Sequence, residues 1–245
     1  MTPAPDPSWP LGRDGFYHRG LAPSRLESFS DAVFAFSVTL LVISLDVPQT
    51  FDELKVAMAG LLGFAFSFAM ILMLWRIHDR YFRRFDLDDD GVTIWLNSIL
   101  LFLVLFFVYP LKFVFTLTST FFVGTEILDG VRPLEPGQGI EMMRLYGTGF
   151  VAVFLLFALM YANALRQADA LRLSAEERIR TRNEVEKSLL TMGIGVLSVA
   201  ATLAPAVAWL SPWVYFLIAP VQGLYGWRVA GARVRRLWRE QGRIA

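Results

Sequence analysis

Arg25-Leu26-Glu27-Ser28-Phe29-Ser30-Asp31 runs straight into an apolar stretch, residues 32–47, that reads Ala-Val-Phe-Ala-Phe-Ser-Val-Thr-Leu-Leu-Val-Ile-Ser-Leu-Asp-Val. A segment this apolar predicts a membrane-crossing helix. It nevertheless carries a carboxylate at its mouth, Asp31, and a line of hydroxyls at Ser30, Ser37, Thr39 and Ser44. Polar groups within a bilayer are costly unless they face protein or water. This first helix is therefore expected to be the functional element, with the rest of the chain holding it in place.

The composition agrees with a membrane setting. Of 245 residues, 55% are hydrophobic and 14% aromatic, with a mean hydropathy of +0.48. One soluble core cannot hide that much apolar surface. Several runs approach the roughly 20 apolar residues that cross a hydrocarbon layer. Six spans are predicted, at about 29–47, 53–75, 92–108, 143–165, 188–210 and 212–229. Pro48 closes the first, Thr50 and Asp52 can cap the second, and Pro110 marks a break after the third. Gly60 and Gly63 offer a close helix approach in the second span. Residues 76–90 and 116–138 read as loops. Within the charged stretch 166–187, Ser174-Ala-Glu-Glu177 has capping-box spacing and predicts a helix start. Residues 1–24, rich in Pro, Gly and charge, predict a mobile cytoplasmic tail with order near Trp9 and Phe16–Tyr17, and not a signal peptide. Residues 25–230 then form the membrane domain and 231–245 a basic cytoplasmic tail.

Charge sets the orientation. With six spans, nineteen of the 23 Lys and Arg fall on one side: three in the N-terminal segment, four in 76–84, six in 166–187 and six from Arg228 onward. Only Lys55, Lys112, Arg132 and Arg144 fall on the other. Cytoplasmic flanks hold the excess of positive charge, so both termini are expected in the cytoplasm. The same rule accounts for the arginine clusters, with contact to anionic membrane lipids as an addition. These charges hug membrane boundaries and form no separate domain, so no nucleic-acid partner is expected.

Enzymatic chemistry finds little material. There is no cysteine, and the two histidines, His18 and His78, have no metal-site spacing. Tyr109, Asn97, Tyr161 and Asn163 sit in or near spans without an evident base beside them. Gly147-Thr-Gly149 opens a membrane helix and does not follow a strand, so it is no nucleotide loop. No cofactor or metal is expected, and no catalytic residue. Arginines at every third position of a span and a Thr-Val-Gly-Tyr-Gly filter are both absent from the sequence.

On the first helix, Val33, Phe36, Leu40, Ile43 and Val47 share a face, while Ser30, Ser37 and Ser44 recur every seven residues beside it. Two readings fit. Copies meeting around an axis would stack apolar rings with hydroxyls near them, able to gate by dewetting and to replace part of an ion's water shell. Ordinary packing, with each hydroxyl bonded to the preceding turn, also fits, and the pattern alone favours it. Arg25 and Asp31 likewise read either as interfacial charges or as a buried knot with His78, Trp95 and Asn97 as partners.

Arg25-x-x-x-Phe29-Ser30-Asp31, followed by a helix with Thr39-Leu40-Leu41, resembles the signature of the transmembrane protein 175 family of potassium channels. Trp75-x-x-His78-x-x-x-Phe82 and Trp95-Leu-Asn97 continue the resemblance through the second and third spans. It implies a leak-type, potassium-selective channel, a homotetramer of single six-helix chains in a prokaryotic plasma membrane, with potassium ions as the permeant and no other metal. It also implies that the first helix lines the central pore. On this chain the constriction falls at Phe36, with further layers at Leu40 and Ile43. Thr39, with Ser37 beside it, is implied in ion selectivity. Arg25, Phe29, Ser30, Asp31, His78, Trp95 and Asn97 are implied as a structural brace. The family usually has Ile or Leu where this chain has Phe36. Four phenyl rings would either seal a pore or tilt aside and widen it. The rival readings are a proton- or solute-coupled transporter, titrating Asp31 or His78, and a non-conducting membrane scaffold.

Overall fold

A computed structural model describes residues 6, 8–43, 48–59, 61–123 and 137–242, and its side-chain description omits 56, 59 and 115–123. Ser44, Val47, Gly60 and Arg132, all used in the sequence reading, lie outside the described residues, as does most of the expected loop 116–138. The described chain is almost wholly helical. Its elements are α1 (Arg25–Ile43), α2 (Phe51–Ala59), α3 (Leu61–Phe85), α4 (Gly91–Val123), α5 (Gln138–Arg166) and α6 (Ala175–Ala201). A 3₁₀ segment (Ala208–Leu217), α7 (Ile218–Tyr225), a π turn (Gly226–Ala230) and α8 (Gly231–Glu240) complete it.

Among the described residues, four helices are long and apolar enough to cross a membrane: α1, α3, the first 24 residues of α4, and α5. The protein is thus a multi-pass membrane protein. The helices stack in the order α6, α5, α4, with α3 and α1 both against α4. α5 sits in the middle and is the most buried of the four; α1 lies at the edge and is the least buried.

Glycines set the tight spacing around α5. A Cβ at Gly149 would collide with the Phe107 ring of α4, and one at Gly195 would stand 2.8 Å from Phe150. Gly147-Thr-Gly149 is therefore a packing device. Small residues of this kind let helix backbones approach closely in lipid.

Three expected boundaries move. The second helix does not end at Trp75 but continues ten residues to Phe85, carrying Arg76, Asp79, Arg80 and Arg83 toward its surface while Arg84 turns inward and is buried. It stops where Asp86 adopts a left-handed φ of 52°, a helix-ending conformation that Asp tolerates better than most residues. The third helix runs through Pro110 to Val123. In an apolar setting, continuing the helix satisfies more backbone groups than breaking it, and neighbouring helices absorb the lost bond. α6 takes up most of the charged stretch after α5, starting at the expected box. Ser174 Oγ accepts from Glu177 N at 3.2 Å, and Glu177 Oε2 accepts from Ser174 N at 2.7 Å.

The N-terminal segment has the order expected near Trp9 and Phe16–Tyr17, and the contacts extend further along residues 8–24 to Arg19. Leu11 bridges Tyr17, and Phe16 is 1% exposed against Phe85. Arg19 is buried and donates to Glu177 Oε1 at 2.9 Å, to the Leu171 carbonyl at 2.9 Å and to the Arg84 carbonyl at 3.0 Å. Arg84 Nε donates to Asp14 Oδ2 at 2.9 Å, and its guanidinium lies 4.1 Å from the Phe16 ring centre. Burial works against charge on Asp14, but the adjacent Arg84 outweighs it and holds the carboxyl below its ordinary range. The end of α3, the start of α6 and this strap therefore share one end of the molecule. α8 joins them through Arg233, which reaches Glu186 at 2.9 Å, and Trp238, which donates to Glu176 at 2.9 Å.

Candidate functional site

α1 begins with a capping box that the sequence reading missed. Glu27 N donates to Ser24 Oγ at 3.1 Å, and Ser24 N donates back to Glu27 Oε2 at 2.8 Å. The signal was present as Ser24-x-x-Glu27, hidden by the more conspicuous Arg25…Asp31 string. A fixed first turn sets the rotation of the whole helix, and packing then divides its faces.

Ser30, Phe34, Ser37 and Leu41 form the buried face. They follow steps of four, three and four, one stripe of a helix. The outward stripe is Phe29, Ala32, Phe36 and Ile43, with Thr39 on its edge. Phe36 is 54% exposed and Ile43 69%, while Val33 and Leu40 are partly packed against neighbouring helices. The seven-residue serine pattern is thus a packing stripe. Ser37, grouped with Thr39 in the sequence reading, turns into the subunit, where its hydroxyl donates to the Val33 carbonyl at 2.9 Å. Ser30 and Thr39 also bond back one turn, to the carbonyls of Leu26 and Ala35. Back-bonding explains how these hydroxyls are tolerated in an apolar helix. Thr39 remains exposed, with its oxygen's lone pairs free to accept.

The expected brace forms in part. The Asn97 side chain of α4 is fully buried and sits between α1 and α3. Its Nδ2 donates to Ser30 Oγ at 3.0 Å, and its Oδ1 lies 2.8 Å from His78 Nε2. Because Oδ1 can only accept, His78 is assigned as the Nε2–H tautomer, which gives a one-way relay from His78 through Asn97 and Ser30 to the Leu26 carbonyl. His78 Nδ1 then needs no acceptor, consistent with its having no hydrogen-bond partner among the described residues. The imidazole packs between Phe34, at 5.4 Å, and Phe82, at 4.7 Å.

Asp31 is held separately. Trp75 Nε1 donates to its Oδ1 at 2.8 Å. Trp75 was read only as part of a motif, and its role as the Asp31 partner was missed. Arg25, Phe29 and Trp95 stay outside the brace: all three are exposed, Trp95 at 72%, and among the described residues no ion pair joins Arg25 to Asp31. Within the single subunit, therefore, Arg25 and Asp31 make no buried pair.

A second polar knot ties α4 to α5 at the same end. Asp90 accepts from Thr93 N at 2.8 Å and from Asn163 Nδ2 at 2.7 Å, and Asn163 also reaches Thr93 Oγ1 at 3.2 Å. Burial would raise the Asp90 carboxyl, but these donors outweigh it and lower it.

Asn97→Leu should lower stability by about 1–3 kcal/mol, because it leaves the buried His78 N–H without an acceptor. The midpoint of thermal loss of the native chromatographic peak measures it, and an unchanged midpoint would show that the relay contributes nothing.

Comparison with known proteins places this geometry. Residues 25–108, which hold α1, the brace and most of α4, match the family model described as "Endosomal/lysosomal potassium channel TMEM175". A protein of Marivirga tractuosa named "Potassium channel" is 36% identical over 234 residues, covering 91% of this chain and 93% of the relative. A potassium channel of Chamaesiphon minutus is 30% identical over 203 residues, covering 80% and 90%. Among solved structures, a variant of the potassium channel MtTMEM175 in complex with a nanobody fusion superposes with a TM-score of 0.74 at 33% identity, covering 91% of this chain and 97% of the other. A TMEM175 homologue from Chamaesiphon minutus, described as a potassium-selective channel, gives a TM-score of 0.54 at 26% identity, covering 82% and 95%. Since both the brace region and nearly the whole length are shared, the chain belongs to the TMEM175 family of potassium channels.

Proposed function

We propose that this protein is a leak-type potassium channel in a prokaryotic plasma membrane, in which four copies surround a pore lined by α1. The observation that carries the reading is the split of α1 into a packed stripe, Ser30–Phe34–Ser37–Leu41, and an outward stripe containing Phe36, Thr39 and Ile43. A helix at the edge of its subunit, rotated by its brace to present Phe36 and a hydroxyl outward, is what a four-fold pore requires. Phe36 forms the constriction, Ile43 a further apolar layer, and Leu40 a layer only at its half-exposed edge. Thr39 contributes the hydroxyl at which potassium is preferred. Ser37 acts on selectivity only through α1 packing. Potassium ions are the permeant, and no cofactor takes part.

Six crossings are supported by lengths and charge. Residues 188–201 of α6 give roughly 21 Å at about 1.5 Å per residue, short of the roughly 30 Å of hydrocarbon unless the turns that follow complete the crossing. Residues 208–230, through 3₁₀, α and π geometry, give roughly 35–40 Å. The N-terminal strap, the ends of α3 and α6 rich in arginine, and α8 share one end, while Arg144 bonds Thr202 at the other. This division supports both termini on the positive, cytoplasmic side.

Purified protein in liposomes under a potassium gradient should pass potassium faster than sodium, with a current indifferent to a proton gradient. A well-folded tetramer that passes no ions would end the proposal, as would a particle of any other stoichiometry. Thr39→Ala should lower the potassium-over-sodium permeability ratio several-fold, read from the reversal potential; an unchanged ratio removes Thr39 from selectivity.

A further inference from the structure

A cleft of about 530 Å³ lies between α6 and the C-terminal helices, on the arginine-rich end of the molecule. Its volume falls in the range of small-ligand sites. Four arginines line it: Arg182 from α6, Arg228 from the π turn, and Arg233 and Arg236 from α8. Apolar side chains, Ile179, Val229 and Leu237 among them, fill the spaces between.

The charges do not cancel. Glu186 takes both Arg182, at 3.1 Å, and Arg233, at 2.9 Å. Burial would raise Glu186, but the Arg233 hydrogen bond and charge outweigh it and lower it, so this carboxylate stays charged. Glu240 is the one acidic residue lining the cleft. The arginines therefore exceed the two carboxylates by two. Arg228 and Arg236 are exposed and form no ion pair among the described residues. Arg228 lies 5.5 Å from the centre of the Trp227 ring, an arrangement that orients the guanidinium plane.

Location identifies the ligand. Trp227 is 68% exposed at the step where the apolar segment 208–227 gives way to the charged α8. An exposed tryptophan at such a step is characteristic of the lipid–water interface. A guanidinium recognises a phosphate with paired N–H donors, and basic pockets at the cytoplasmic boundary suit phospholipid headgroups.

We propose that this cleft binds the phosphate headgroup of an anionic phospholipid. The proposal rests on the membrane placement of the chain and not on its conducting ions, so binding is read without current. Full-length protein in detergent is titrated with phosphatidylglycerol or phosphatidylcholine, and bound lipid is counted by native mass spectrometry. Phosphatidylglycerol should bind at least tenfold more tightly. Arg228→Gln with Arg236→Gln should weaken it about thirtyfold, since each near-surface arginine contributes roughly a factor of five. Arg228→Lys with Arg236→Lys should keep most of the preference. Glu240→Gln, an exposed change that spares the Glu186 pairs, should tighten binding about fivefold. Equal affinity for the two lipids, or no change in the double glutamine variant, overturns the proposal. So does full displacement of phosphatidylglycerol by excess inorganic phosphate, which would make the site one for a free anion.

Discussion

Replacing Phe36 with alanine is expected to raise potassium flux in reconstituted liposomes by about tenfold, which corresponds to about 1.4 kcal/mol off the barrier for a permeating ion. The phenyl ring is 54% exposed on the outward stripe of α1 and carries no oxygen of its own that could replace a cation's water. In the proposed tetramer four such rings at one level would expel water, and an ion crossing them would shed its shell without replacement. Alanine keeps the helix, being the best helix former, and removes the ring. Phe36→Leu should fall between the two. If alanine leaves the flux unchanged or lowers it, the rings have already tilted aside and Phe36 is not the plug. Because Phe36 lies off the buried stripe, the native fold should survive, and thermal stability should stay within about 0.5 kcal/mol of the parent.

Glu177→Gln should destabilise the protein by about 3–5 kcal/mol and release the N-terminal strap. Each carboxylate oxygen now receives two donors: Oε1 from Tyr17 N and Arg19, Oε2 from Ser174 N and Arg19. An amide replaces one of these acceptors with a donor and leaves the Arg19 guanidinium buried without its countercharge. Trypsin cleavage at Arg13 and Arg19 reports the release, and the thermal midpoint reports the loss. Pairing the change with Arg19→Met should recover part of the loss, because the stranded charge is then gone. Unchanged proteolysis and midpoint would mean that the strap is held mainly by Phe16 and Arg84.

The membrane class, the first four crossings and the capping box of α6 were legible because they depend on local composition and spacing alone. The brace was legible as a set of residues through family resemblance, but its wiring was not. Asn97 and His78 pair as implied, whereas Trp75, not Arg25, answers Asp31. Partner choice depends on the rotation of three helices about their axes, and a sequence fixes that only through packing. The serine stripe shows the same limit. A seven-residue period says that Ser30 and Ser37 share a face; it does not say whether that face looks at a pore or at Asn97. The extension of α3 past Trp75 was hidden by its charges, which read as loop although they coat a helix leaving the membrane. The strap was hidden because Pro and Gly there suggested freedom, while the decisive contact joins residues 158 apart.

That strap runs straight into α1, with five residues between its anchored Arg19 and Arg25. From the anchored Arg19 to Arg25 there are six Cα steps, at most about 20–22 Å when fully extended. Arg19 is locked to α6, and Ser24 is locked to Glu27 on the first turn of α1. α1 is therefore on a short leash at one end, while its Ser30 is pinned to Asn97 further along. Large swings of that end would snap the leash before they widened anything. If α1 lines the proposed pore, opening and closing would be confined to what a tethered rod can still do: small twists about its own axis, and rotation of the Phe36 ring.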